Sequence, residues 1–141
     1  MRKEDEMERL MEKQFGDKAA DDMQSLAAYS SDASQIRGEA VAIVRPESLE
    51  DVHKLIRYCI RTGAKITPRG GGTGLAGGAV PKDSIVMDMS RMDRILSIEP
   101  NSRAVTVEPG VIPAELNRAL KRYGLIFPVM PASHKICTIG G

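Results

Sequence analysis

A run of glycines between two prolines constrains this chain more than any other stretch of its sequence. Residues 68–81 read PRGGGTGLAGGAVP, with six glycines, one arginine, one threonine and no acidic side chain. Each glycine costs up to about 1 kcal/mol relative to alanine, so this density indicates unusual dihedral angles or close approach of the backbone to another group. What the loop approaches decides which functions the chain can have.

A strand–helix–strand pattern precedes the loop. VAIVRP (41–46) is an apolar, β-branched run typical of a buried strand, and AKITP (64–68) is a second strand. Between them we predict a helix over 48–62, with Ser48 as N-cap, Asp51 in a capping-box position and Gly63 as the stop. A connection of this length implies a right-handed parallel crossover. The apolar face of the helix is predicted to contain Val52, Leu55, Ile56 and Cys59.

More strands and another helix follow the loop. SIVMDMS (84–90) is a predicted strand, and 94–110 is predicted to form two strands around a turn at 100–102. A helix is expected from Pro113 in its first turn to Gly124 as its stop, with Leu116, Ala119, Leu120 and Tyr123 on one face. These elements predict an α+β fold, a small mixed parallel and antiparallel sheet with flanking helices.

The two ends of the chain differ from this middle. Residues 1–35 are predicted to form a helical extension that begins with an amphipathic helix stopped by Gly16, and 36–141 are predicted to form one domain. The chain ends on two glycines without a closing element, so we expect the domain to be incomplete at its C-terminus. An unfinished domain of this kind can expose apolar surface and associate with itself.

Composition excludes several classes of function. The 20 basic and 19 acidic residues give a net charge of +1, so no global field attracts nucleic acid or an anionic membrane. No stretch approaches the ~18 apolar residues of a membrane span, and no signal-peptide core begins the chain. The 2 cysteines and 2 histidines give neither a disulfide framework nor a metal-ligand spacing. We expect a cytoplasmic protein with free thiols and no metal.

Three phosphate-binding patterns and one turn without a ligand are the alternatives for the glycine loop. Gly72, Gly74 and Gly77 give a formal Rossmann spacing, but a strand is predicted after them instead of the helix that the motif needs. A Walker loop would need Lys-Ser or Lys-Thr, which is absent. RGGGTG (69–74) supplies the backbone amides, hydroxyl and arginine of an anion nest. A tight turn between strands, with no ligand, is the remaining alternative.

Several motifs in order resemble a known family. PRGGGTGLAGGAVP, then IVMDMSRMDRILSIEPNSRAVTVEPGV, then PASHKICTIGG are similar to FAD-linked oxidases of the vanillyl-alcohol oxidase and p-cresol methylhydroxylase type. Within them, the D-lactate dehydrogenase and glycolate oxidase flavoprotein-subunit branch is the most similar, and YSSD (29–32) resembles a Tyr-x-x-Asp feature of that branch. The resemblance implies the first subdomain of a p-cresol methylhydroxylase-type FAD-binding domain.

By position, the resemblance implies a two-sided FAD site. Residues 68–74 would wrap the pyrophosphate, residues from 131 onward would line the cofactor from the far side, and Gly110 would form a structural turn beside it. The expected cofactor-binding residues are Pro68, Arg69, Gly70, Gly71, Gly72, Thr73, Gly74, Pro131, Ala132, Ser133, Thr138, Ile139, Gly140 and Gly141.

The sequence also departs from the family. Some relatives attach FAD through a histidine where this chain has Thr73, so the flavin is expected to be non-covalent. Val129 and Met130 replace a proline–aspartate pair, which removes one polar contact. His134 is expected to face solvent or bond its own loop, Cys137 to be a small buried side chain, and Asp88, between two methionines, to point outward. No catalytic residue is assigned.

The resemblance implies an oxidoreductase that passes a hydride from a 2-hydroxy acid, such as glycolate or D-lactate, to FAD. Electrons would continue to a partner protein, quinone or oxygen, and the substrate residues would lie outside this chain. The alternative is a stand-alone module or remnant that folds, does not catalyse and retains little flavin.

Overall fold

The fold was analysed in a computed structural model, which describes residues 13–141. Residues 13–15 are helical and Phe15 is buried in the core. The rest of the amphipathic helix predicted before Gly16 lies outside the described residues. None of the helices over 13–141 has both the length and the apolar character needed to cross a bilayer.

Four strands form the first sheet. β1 (Ala19–Ala20) runs antiparallel to β2 (Glu39–Val44), and β4 (Lys82–Asp88) runs parallel to both β2 and β3 (Ile66–Arg69). The spatial order is β1-β2-β4-β3. β2 and β3 are therefore parallel, as predicted, but β4 lies between them, which local patterning did not indicate. Parallel pairing brings the carboxyl ends of β2, β3 and β4 to one edge, where the glycine loop begins.

Helix α2 (Leu49–Thr62) connects β2 and β3, and it is preceded in the chain by α1 (Met23–Tyr29). The Ser48 hydroxyl accepts the Asp51 amide at 3.2 Å, and Gly63 ends the helix in the left-handed region at φ 71°. The predicted apolar face is partly wrong. Ile56 is 41 % exposed and Tyr58 is buried instead, because the stripe that meets the sheet is centred on Leu55 and Cys59.

The remaining strands form a separate layer. β5 (Ile95–Glu99) and β6 (Ala104–Val107) pair antiparallel as predicted, and α3 (Pro113–Leu120) follows with a short 3₁₀ turn that ends at Gly124. Leu116 and Leu120 pack with the hairpin in a second core cluster. Tyr123 was predicted on this buried face but is 41 % exposed, since the tighter 3₁₀ turn rotates it out of the α-helical stripe.

Asp88 at the end of β4 corrects one prediction. It was expected to point outward, but it is 4 % exposed. Its carboxylate accepts the Tyr29 hydroxyl and the Ser90 amide, and the Arg45 guanidinium lies 3.9 Å away. Alternation predicts exposure only when one face of a sheet is open, whereas β4 is an interior strand with a buried run from Ser84 to Asp88.

Candidate functional site

A cleft of about 620 Å³ lies between the glycine loop and the last residues of the chain. It contains most of the residues that the sequence predicted for a cofactor, although they come from segments about 60 residues apart. The lining residues among them are Pro68, Gly70, Gly71, Gly72, Thr73, Gly74, Pro131, Ser133, Thr138, Ile139, Gly140 and Gly141. Arg69 and Ala132 were also predicted but are not part of the lining.

The loop crosses from β3 to β4 without forming a helix. Gly72 and Gly77 adopt left-handed conformations at φ 64° and 73°, which residues with a Cβ rarely adopt. No helix N-terminus is therefore available at this loop, and the Rossmann alternative fails because its anion site depends on one. Anion binding here has to rely on loop amides.

The two walls of the cleft touch each other through glycines. A Cβ built on Gly70 would lie 2.1 Å from the Thr138 hydroxyl oxygen, and one built on Gly71 would lie 2.3 Å from the Ile136 carbonyl oxygen. Neither position has room for a side chain. By contrast, a Cβ on Gly74 would meet no atom within 4 Å, so this part of the loop faces open space.

Thr138 carries an unpaired polar group at this contact. The residue is 9 % exposed, and within residues 13–141 its hydroxyl is buried and has no hydrogen-bond partner. A buried hydroxyl without a partner costs about 1–3 kcal/mol. A ligand in the cleft that offers a hydrogen-bonding oxygen would remove that cost.

The turn at 109–111 holds the far wall. The amides of Ile139 and Gly140 donate to the carbonyls of Val111 and Pro109, each at 2.8 Å. Gly110 is a close-packed turn as predicted, because a Cβ there would lie 2.4 Å from the Met89 carbonyl oxygen. The carboxylate of Glu108, just before this turn, accepts three groups of Arg94, which lowers the pKa of Glu108.

His134 and Cys137 lie on the same wall. His134 bonds its own loop as expected, with Nδ1 3.1 Å from the Pro131 carbonyl oxygen. Cys137 lines the cleft and is only partly buried, so the expectation of a buried side chain was wrong. The backbone atoms of Ile136 and the Cα of Cys137 occupy the space beside Gly71.

Arg69 is directed away from the cleft. Its Nη1 donates to the Ser31 carbonyl at 2.8 Å, and its guanidinium carbon lies 5.2 Å from the centre of the Tyr29 ring. A Cβ on Gly72 would lie 2.4 Å from its Nη2. The guanidinium therefore lies beneath the loop, against residues 29–31.

Asp32 lines the cleft, although it was not among the predicted cofactor-binding residues. It is 8 % exposed, and its carboxylate accepts the Ser34 hydroxyl, the Ser34 amide at 2.9 Å and the Ala79 amide at 3.3 Å. The Ser34 hydroxyl is the largest cause of a lowered pKa for Asp32. The YSSD motif was the signal that could have identified this residue.

A family model described as FAD binding domain matches residues 40–141. The chain belongs to this FAD-binding domain family. Its resemblance to FAD-linked oxidases is thereby confirmed, and FAD is the cofactor of the family.

Relatives extend the agreement. The glycolate oxidase subunit GlcD of Bacillus subtilis (strain 168) is 36 % identical over 115 residues, covering 80 % of this chain and 24 % of the relative. GlcD of Escherichia coli (strain K12) is 32 % identical over 120 residues, covering 84 % and 24 %. The mitochondrial D-2-hydroxyglutarate dehydrogenase of Rattus norvegicus is 29 % identical over 107 residues, covering 75 % and 20 %. This FAD-binding domain spans about a quarter of the length of GlcD.

Solved structures show the same fold. An alkyldihydroxyacetonephosphate synthase superposes with a TM-score of 0.85 at 22 % identity, covering 100 % of this chain and 29 % of the synthase. A p-cresol methylhydroxylase with bound substrate superposes with a TM-score of 0.76 at 21 % identity, covering 93 % and 27 %. The p-cresol methylhydroxylase-type fold expected for this FAD-binding domain is confirmed.

The residues present fit the diphosphate part of FAD. Loop glycines without side chains line one wall, and an unpaired buried hydroxyl lies on the other. Asp32 is the only acidic side chain among the described residues of the lining, and its oxygens accept from Ser34 and Ala79. The donor set of the cleft therefore consists of amides and the hydroxyls of Thr73, Ser133 and Thr138, which suits a phosphate.

Proposed function

We propose that the cleft binds the diphosphate of FAD non-covalently, between the glycine loop at 68–74 and the segment 131–141. The observation that supports this most is the Thr138 hydroxyl, which is buried beside Gly70 and has no hydrogen-bond partner in the described part of the chain. Thr73 lines the cleft where a histidine would be needed for a covalent bond. We also propose that the FAD-binding domain begins at residue 36, after an N-terminal extension.

Charge in the cleft favours recognition by backbone groups. The Arg69 guanidinium contacts Ser31 and Tyr29, so its positive charge lies behind the loop. Successive amides of a glycine-rich loop carry partial positive charge and can approach an anion closely because no side chain intervenes. In this proposal the remaining predicted residues, Pro131, Ser133, Gly140 and Gly141, complete the far wall.

The larger protein that contains this domain is proposed to oxidise a 2-hydroxy acid such as glycolate or D-lactate. Relatives named glycolate oxidase subunit and D-2-hydroxyglutarate dehydrogenase support this substrate class. Bound FAD would be the hydride acceptor. The hydroxy-bearing carbon would lose a hydride, which is one proton with two electrons, and become a 2-oxo group. The hydroxyl proton would leave to a base, and an electron acceptor would reoxidise the flavin.

Partners and location belong to the same proposal. Substrate residues would lie in parts of the protein outside this chain, and the protein would be cytoplasmic. Apolar side chains at the cleft rim are exposed, including Leu75 at 81 %, Val129 at 63 % and Ile136 at 64 %. They support association through this rim, with further protein or with a second copy.

Titration with FAD tests the binding proposal. The purified chain is expected to bind FAD at close to one per chain, measured by flavin fluorescence and visible absorption. Thr138→Val should weaken binding about fivefold, the value of one ordinary hydrogen bond, while the free energy of unfolding stays equal or rises. The stability should not fall because the hydroxyl has no hydrogen-bond partner among residues 13–141.

Thr106→Val is the matched control, because Thr106 is exposed on β6 and lies outside the cleft. Equal FAD affinity for the Thr138 variant and wild type would show that this hydroxyl does not contact FAD. A well-folded chain that stays colourless at saturating FAD would contradict the proposal and favour the stand-alone module. Anaerobic bleaching of the flavin by glycolate or D-lactate, in the longer natural protein, tests the substrate class.

A further inference from the structure

The middle of the glycine loop needs a restraint that its own sequence does not supply. Residues 70–81 contain six glycines and no regular structure before β4, and such a chain is flexible unless other groups hold it. A phosphate site made of amides works only when those amides are already oriented, since ordering them on binding costs affinity. The question is which residues orient them.

Residues 29–34, the YSSDAS segment, contact the loop at three points. The Arg69 guanidinium donates to the Ser31 carbonyl at 2.8 Å, and the Ala33 amide donates to the Gly72 carbonyl at 3.0 Å. The Asp32 carboxylate accepts the Ala79 amide at 3.3 Å. The contacts at Arg69, Gly72 and Ala79 cover the start, middle and end of the loop.

Asp32 is itself fixed in place. The Ser34 amide and hydroxyl both donate to its Oδ1, which leaves Oδ2 to accept from Ala79. Nearby Arg69 contributes a favourable charge interaction to Asp32. The carboxylate thus connects two segments that are 47 residues apart in sequence at the Ala79 contact.

The position of Asp32 is electrostatically unfavourable for anion binding. Asp32 lines a cleft proposed to hold a diphosphate, and two like charges repel each other at short range. A carboxylate there weakens anion binding unless it also does something that the site requires. Holding the far arm of the loop is such a role.

We propose that Asp32 is a positioning residue for the FAD diphosphate site. It holds the far arm of the glycine loop in place through the Ala79 amide, and Arg69 supports the loop from behind without contacting the phosphate. The inference rests on the proposed function. The resemblance implied that residues 68–74, with Arg69 among them, wrap the pyrophosphate, whereas here the Arg69 guanidinium lies behind the loop.

Substitution of Asp32 distinguishes an electrostatic role from a positioning role, because the two predict opposite changes in FAD affinity. Asp32→Asn removes the negative charge, so an electrostatic role alone predicts tighter FAD binding. It also leaves one accepting oxygen where the carboxylate has two, so the side chain can no longer accept from both Ser34 and Ala79, and the positioning role predicts binding weakened about tenfold. Asp21→Asn is the control, because it removes the same charge from an exposed carboxylate outside the cleft.

Two measurements on the 141-residue chain decide the inference. The Kd for FAD is measured by fluorescence titration, and amide hydrogen exchange is measured at Ala79 and across α2 without ligand. Weaker FAD binding together with faster exchange at Ala79, and unchanged exchange in α2, supports positioning. Tighter or equal binding overturns it, as does faster exchange throughout the chain, which would mean general destabilisation.

Arg69 gives an independent check. Arg69→Lys keeps the charge but loses the planar guanidinium that bonds Ser31 and lies over Tyr29. Positioning predicts that it weakens FAD binding as much as Arg69→Met does, whereas a phosphate contact predicts that lysine retains most of the affinity. If wild type binds no FAD, the proposed function and this inference both fail. If wild type binds but the Asp32 and Arg69 variants match it, only the inference fails.

Discussion

The contact between Gly71 and Ile136 gives the sharpest test of how the cleft is built. Gly71→Ala places a Cβ 2.3 Å from the Ile136 carbonyl oxygen and 3.1 Å from the Cys137 Cα. Ordinary van der Waals contact begins near 3.4 Å, so the two walls would have to separate by about 1 Å. The obstructing atom belongs to the backbone, and a rotamer change cannot move it.

Moving the Ile136 carbonyl out of the way also costs free energy. The amides of Ile136 and Cys137 both donate to the Ser133 carbonyl at 2.8 Å, so swinging the carbonyl away strains a hydrogen-bonded turn. Overpacking of this kind typically costs about 1–3 kcal/mol. Because 1.4 kcal/mol corresponds to a factor of ten, FAD affinity should fall about 5- to 150-fold if the displaced wall contributes to the site.

Urea unfolding followed by circular dichroism, with an FAD titration in parallel, measures both effects. Gly78→Ala is the control for stability, since a Cβ there would meet no atom within 4 Å and the residue is not in the left-handed region. We expect it to leave the unfolding free energy within about 0.5 kcal/mol of wild type or to raise it slightly. Equal stability of the Gly71 and Gly78 variants would refute the reasoning that close backbone contact between the two walls demands glycine.

Three further predictions concern residues around the sheet edge and the caps. Asp88→Ala should destabilise the fold by about 1–3 kcal/mol in urea unfolding, because the partly buried Tyr29 hydroxyl loses its acceptor. The pKa of Glu108 is lowered by Arg94, so its stabilisation is present above the ordinary glutamate pKa and is lost as pH falls through the lowered value. Between pH 6 and pH 3 the free energy of unfolding should therefore fall less in Glu108→Gln than in wild type. Ser48→Ala should cost about 1 kcal/mol, read from the same unfolding curves.

Several elements follow from short stretches of sequence. The limits of α2 could be predicted because Ser48 and Gly63 act on backbone groups within four residues of themselves. The β5–β6 hairpin and the start of α3 at Pro113 are equally local. The cleft residues in the glycine loop and in 131–141 came from the resemblance of ordered motifs to a family, and the family match confirms that resemblance. Their role in binding is still a prediction.

Tertiary structure decided the points that local patterns do not encode. The strand that separates β2 from β3 comes later in the chain, and it buries Asp88 where alternation predicted exposure. The Arg69 side chain turns to a carbonyl 38 residues away, and Asp32 reaches Ala79. A hydrogen bond within one turn depends on neighbouring residues alone, so the sequence determines it. Contacts between distant segments depend on the order and packing of strands, and only the folded chain fixes these.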